Sequence, residues 1–126
     1  MCVRRRYRIM SFNPSETYKL PEGWQRPDTT MANIHHAELQ CELPPGHLLH
    51  GVPVENFAWS QGSDDVLFRH LNEPDHFTII HLSWLGRTEI NAQHPTVEFD
   101  GSFAEFLAYY EKLLTFLKDV SKNRNA

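Results

Sequence analysis

Cysteine is scarce in this chain. Cys2 and Cys41 are its only two, and no paired spacing suggests a disulfide framework or a zinc site. So few cysteines fit a reducing compartment. No run approaches the roughly 20 apolar residues of a membrane helix. The start is rich in arginine, but polar residues from Ser11 to Pro14 follow it where an apolar core would have to be. It therefore reads as neither a secretory nor a twin-arginine signal, and a cytoplasmic protein without a membrane partner is expected. Gly46, Gly51, Gly62, Gly86 and Gly101 are scattered singly, so no phosphate loop or dinucleotide fingerprint can be written. H-E-x-x-H and G-x-S-x-G are also missing, which removes the commonest zinc-hydrolase and serine-hydrolase signatures.

What is present suits one globular domain. The 126 residues include eight Phe, four Tyr and three Trp, enough aromatic bulk for a core and too much for a disordered chain. The net charge of −4 is unevenly spread. Arg4, Arg5, Arg6 and Arg8 fall in the first ten residues without an acid, so the remainder carries −8. An acidic body disfavours nucleic acid, whose binding rests on neutralising phosphates, and suits a partner with a basic surface.

Residues 1–29 hold the basic run and Pro14, Pro21 and Pro27 without sustained periodicity. They read as a disordered tail, with Leu20 and Trp24 as candidate anchors, and the domain is drawn as 30–126. Residues 30–43 read as a helix capped by Thr29 or Thr30 and stopped by Pro44-Pro45-Gly46. Strands follow at Val54–Ser60, Asp65–Leu71 and His76–Trp84, with a weaker one at Thr96–Phe99. Ser102 and Glu105 form an S-x-x-E capping box. Phe103, Phe106, Leu107, Tyr110, Leu113, Leu114, Leu117 and Val120 then recur at helical spacing to about Val120.

The fold expected is α+β, ordered α-β-β-β-(β)-α: an antiparallel meander of three or four strands with two helices packed on one face. The short loops suggest pairing Ser60 with Asp65 and Leu71 with His76. That register gathers Phe57, Trp59, Val66, Phe68, His70, Phe77, Ile79 and His81 under the helices. It leaves Ala58, Leu67, Arg69, Ile80, Leu82 and Trp84 on a second face too apolar for water, which is the expected interface for another protein or a second copy of the chain.

Candidate chemistry is sparse. Asp64 and Asp65 adjoin at a strand start, where two carboxylates can hold a cation or work as acid and base. With His81 and Arg87 they form the candidate ligand group. Eight histidines raise the question of metal, but none are spaced as a ligand set; packed or surface histidines are expected, with no metal and no cofactor. His81 and Ser83 lie two apart on a strand, about 7 Å, too far for a nucleophile and its base, so no catalytic residue is assigned.

Gly46-His47-x-Leu49-x-Gly51-Val52-Pro53-Val54, Asp64-Asp65-Val66-Leu67-Phe68 and His81-Leu82-Ser83-Trp84, followed by Pro95 and a closing amphipathic helix, form a set. Over about residues 31–117 this set resembles small bacterial proteins that share a D-D-V-L-F strand and an H-L-[ST]-W strand. The resemblance implies a bacterial cytosolic protein with a functional start near Met31, and it brings no activity. The function expected is a non-catalytic protein-binding module, comparable in size and charge to immunity proteins and antitoxins. The alternative is a small enzyme or ligand-binding protein using Asp64, Asp65, His81 and Arg87.

Overall fold

A computed structural model describes residues 18–124, with side chains to Lys118. In chain order the elements are β1 (Trp24–Gln25), α1 (Thr29–Glu42), β2 (Val54–Ser60), β3 (Asp65–His70), β4 (Phe77–His81), β5 (Thr96–Gly101) and α2 (Phe103–Arg124). The strands form one antiparallel meander, β1-β2-β3-β4-β5. The α+β class and the meander are as expected, with β1 an addition.

Each helix starts where side-chain chemistry supplies the missing acceptors. Asp28 caps α1, its carboxylate accepting from Met31 N–H at 2.7 Å in place of the threonines expected. Pro44 and Pro45 stop the helix just beyond Leu43. At α2 the capping box forms in full: Glu105 N–H donates to Ser102 Oγ at 3.1 Å, and Ser102 N–H to Glu105 Oε1 at 2.9 Å.

The helices lie on opposite faces of the sheet, which corrects their expected placement on one. Phe103 and Phe106 of α2 pack with Trp24, Phe57, Ala58, Leu67, Phe77 and Ile79. Leu39 and Leu43, from α1 and its end, pack with Leu49, Val54, Val66, Phe68, Ile80 and Leu82. Two features of register account for the difference. Phe57 is bulged, since Asn56 pairs with Phe68 and Ala58 with Leu67, so alternation along β2 breaks there. The β3–β4 pairing sets Phe68 against Thr78 and Leu67 against Ile79, one residue from the expected register. A one-residue slip moves side chains to the other face.

The expected open interface is therefore interior. Ala58, Leu67 and Arg69 are buried on the α2 side, and Ile80 and Leu82 on the α1 side; only Trp84, 41 % exposed, reaches solvent. Arg69 pairs with Glu55 at 2.5 Å beside the Phe57 ring.

The boundary at residue 29 also moves. Trp24 is buried and pairs with Ser60, and the Tyr18 ring packs against Phe57, Phe77 and Phe103. The domain thus includes residues 18–29; the remainder of the proposed tail, 1–17, lies outside the described residues. At the other end, the α2 stripe covers the sheet through Tyr110, while Leu113, Leu114, Phe116 and Leu117 are exposed beyond it.

Candidate functional site

Two polar groups occupy opposite ends of the β3–β4 hairpin. At the end where β3 begins and β4 finishes, Asp65 and His81 are cross-strand partners, and Asp65 Oδ1 lies 2.9 Å from His81 Nδ1. The bulge between Ile79 and Ile80 leaves Glu98 as the extra residue of β5, and its carboxylate approaches the same pair, one atom from each residue lying within 4.8 Å of the others. The Asp65 hydrogen bond raises the His81 pKa, and the charges of Asp65, Asp64 and Glu98 add to it.

Beside this group is a cleft of 320 Å³. Met31, Ile34 and His35 of α1 line one side; Trp59, Ser63, Asp64, Asp65, Val66 and Trp84 complete it. The buried His35 ring lies with its centroid 5.8 Å from each of the two indoles, Trp59 and Trp84. Asn56 fixes that imidazole. Its Nδ2 donates to the Ala58 carbonyl at 2.9 Å, which leaves Oδ1 to accept from His35 Nδ1–H at 2.7 Å.

Trp84 is held in place by a buried carboxylate. Its backbone is left-handed, at φ 58°, a costly conformation for a bulky residue. Glu42, fully buried at the end of α1, accepts from Ser83 N–H at 2.9 Å and Trp84 N–H at 2.8 Å. Four residues earlier, Glu38 accepts from Gly86 N–H at 3.1 Å, and Thr88 Oγ1 donates to the Cys41 carbonyl. Burial pushes the Glu42 carboxyl up to about 7, the Glu38 hydrogen bond and charge add to the rise, and the two N–H donors oppose it.

At the other end of the hairpin, His70 and His76 stack face to face, centroids 3.6 Å apart. His76 Nε2 lies 2.8 Å from Asp100 Oδ1, and its Nδ1 lies 2.9 Å from Glu73 Oε2. Thr78 Oγ1 donates to Asp100 Oδ1 at 2.6 Å and meets His70 Nε2 at 2.8 Å. Burial lowers the His70 pKa, and the neighbouring His76 adds to the fall.

No family model matches the chain, and neither a curated protein nor a solved structure is detectably similar to it.

Of the four candidate ligand residues, the fold brings Asp64, Asp65 and His81 to one edge. Arg87 does not join them; it is exposed in the loop after β4 and lines no part of the cleft. Sequence reasoning missed His35, Trp59 and Glu42 as partners of this edge, and missed the histidine stack altogether. For Glu42 a signal existed: it stands seven residues after His35 and three after Leu39, on the buried side of α1, and pairs at i, i+4 with Glu38. The stack carried none, because His70 and His76 meet through a turn whose register the spacing did not fix.

Proposed function

We propose that the chain is a non-catalytic protein-binding module whose Trp59–Trp84 cleft takes a lysine or arginine side chain from a basic partner. The observation that carries this reading is the pairing of two indoles with Asp64 and Asp65 on the walls of one cleft. A cation over an indole face gains about 0.5–2 kcal/mol, more as it is desolvated. The carboxylates add attraction that salt screens and that steers a basic surface in the encounter. Beyond the arginine-rich start, the acidic body adds a field of the same sign. Ser63 and Ser83, two hydroxyls at this edge, bond to Asp65 and Glu89 carboxylates rather than to a histidine, an arrangement for shaping loops and not for activating a nucleophile.

In this reading the partner shares the bacterial cytoplasm implied by the sequence resemblance, and the comparison with immunity proteins extends to the sign of the surfaces that meet. No helix among the described residues is long and apolar enough to cross a membrane. Among the described residues the second sheet face is buried, so this reading uses the cleft and not that face.

One contact favours the alternative, a small enzyme or ligand-binding protein: Asp65 orients His81 as a carboxylate orients a general base. Tryptophan fluorescence separates the two. Titration with a lysine- and arginine-rich peptide should perturb emission, weaken as salt rises, and fail with an acidic peptide of equal length. Trp84→Ala and Asp64→Asn should each weaken binding about tenfold, the order expected for 1.4 kcal/mol. Equal responses to both peptides would sink the proposal. Binding lost in His81→Gln but kept in Trp84→Ala would favour the alternative.

A further inference from the structure

The histidine stack uses residues that the proposed cleft does not. His70 closes β3, His76 stands in the turn just before β4, and Asp100 lies in β5, so two strands and the turn between β3 and β4 bring one donor each within 4.8 Å of the others. We propose that His70, His76 and Asp100 form a binding site for one divalent transition-metal ion of the zinc class.

The donor atoms are close enough together for such an ion. Tetrahedral zinc, with bonds of about 2.0–2.2 Å, holds its ligand atoms about 3.3–3.6 Å apart. Here Asp100 Oδ1 is 2.8 Å from His76 Nε2 and 4.0 Å from His70 Nε2, so the distances straddle that range, but the two rings are parallel at 7°, and the more exposed His76 ring must turn out of the stack for both nitrogens to face one ion. Two imidazoles and one carboxylate are a borderline donor set, suited to zinc and poorly suited to calcium or magnesium, which prefer all-oxygen cages. The outer contacts are those of a metal centre. Glu73 engages the far nitrogen of His76, the carboxylate–histidine arrangement that orients a ligating ring, and Thr78 holds the Asp100 carboxylate. The ion would take the place of the hydrogens now lying between His76 and Asp100 and between His70 and Thr78; a neutral ring keeps its hydrogen by moving it to Nδ1, and only a ring bound as imidazolium gives a proton to solvent. Three protein ligands leave a fourth position for water. Access exists on the His76 and Asp100 side, where the side chains are 27 % and 35 % exposed, whereas His70 is nearly enclosed.

The test is competition for Zn2+ between the full metal-free chain and a chromophoric chelator, with Mg2+ as the control ion. The native chain should take up one equivalent of Zn2+ and melt at a higher temperature with it, and Mg2+ should do neither. His76→Gln and Asp100→Asn should each weaken uptake at least tenfold. Glu73→Gln, at an exposed position that leaves the core intact, should weaken it several-fold. Circular dichroism in chelator identifies any variant that fails to fold, and Glu73→Gln keeps the test decisive if the other two do. No uptake by the native chain, or uptake untouched by the folded variants, overturns the site and leaves the cluster as a hydrogen-bonded clasp. Uptake lost in His81→Gln instead would place the ion at the Asp65–His81–Glu98 group and equally overturn this assignment.

Discussion

Glu42 is an acid where a helix would ordinarily bury an apolar residue, and its position ties stability to pH. With its carboxyl raised from 4.5 to about 7 in the folded chain, the native state binds more protons than the unfolded state between those values. Stability therefore falls as pH rises through that window, by up to about 1.4 kcal/mol per pH unit, and levels off above it. Chemical denaturation at several pH values should show this fall. Glu38→Gln removes the neighbouring charge and can still accept from Gly86 N–H while donating to Glu42, so it should flatten the slope; a slope unchanged in that variant would mean that burial alone sets the shift. Trp84 N–H donates to the same carboxylate and favours its charged form, so the rise in pH that costs the fold stability does not release this wall of the cleft. At this scale the sequence is least informative. The adjacency of Asp64 and Asp65 was visible, and their meeting with His81 followed from a strand pair. His35 beside two indoles and His70 on His76 depend on contacts between distant segments, which spacing does not encode.

Elements were far more legible than the contacts between them. The bounds Val54–Ser60 agree with the sequence reading, β3, the start of β4 and the helix starts differ from it by a residue, and β4 ends three residues earlier than expected; turn residues, proline stops and the capping box act locally. The pairing failed where local signals end. Phe57 bulges without a glycine to mark it, and the β3–β4 turn admits more than one register with similar turn chemistry. The reading of α2 can be tested through its cap and its core ring. Ser102→Ala should cost about 1 kcal/mol, since one N–H loses its acceptor. Phe106→Ala should cost about 3–5 kcal/mol, since that ring is fully enclosed beside Trp24 and Phe99. Urea melts rank the two, and a larger loss for Ser102→Ala would show α2 to be peripheral. Gly101 adds a steric constraint at the same junction: a Cβ there would come within 2.9 Å of the Phe99 ring and 3.0 Å of Glu105 Oε1, so Gly101→Ala should disturb the capping box that Glu105 completes.

At the scale of the whole molecule, a sheet with both faces covered decides where the domain begins. Proline and charge made residues 1–29 look unstructured, yet two short signals inside them act over long range. Gly23, at φ 93°, turns the chain so that Trp24 can pair with Ser60, and Tyr110 Oη lies 3.0 Å from where a Cβ would stand. Arg26 then donates to the Phe57 carbonyl at 2.6 Å and lies over the Phe57 ring, tying the segment to the bulge of β2. Removing residues 1–29 would take away β1, the Tyr18 and Trp24 rings and the Asp28 cap together, opening the α2-side core to water. Trp24→Ala alone should cost about 3–5 kcal/mol, as for other buried aromatics, and the truncation more than that. Thermal melts of the full chain, Trp24→Ala and a chain starting at Thr30 would show the order. If the truncated chain melts within a few degrees of the full one, the N-terminal segment is ornament to a core complete without it, and the boundary returns to residue 30.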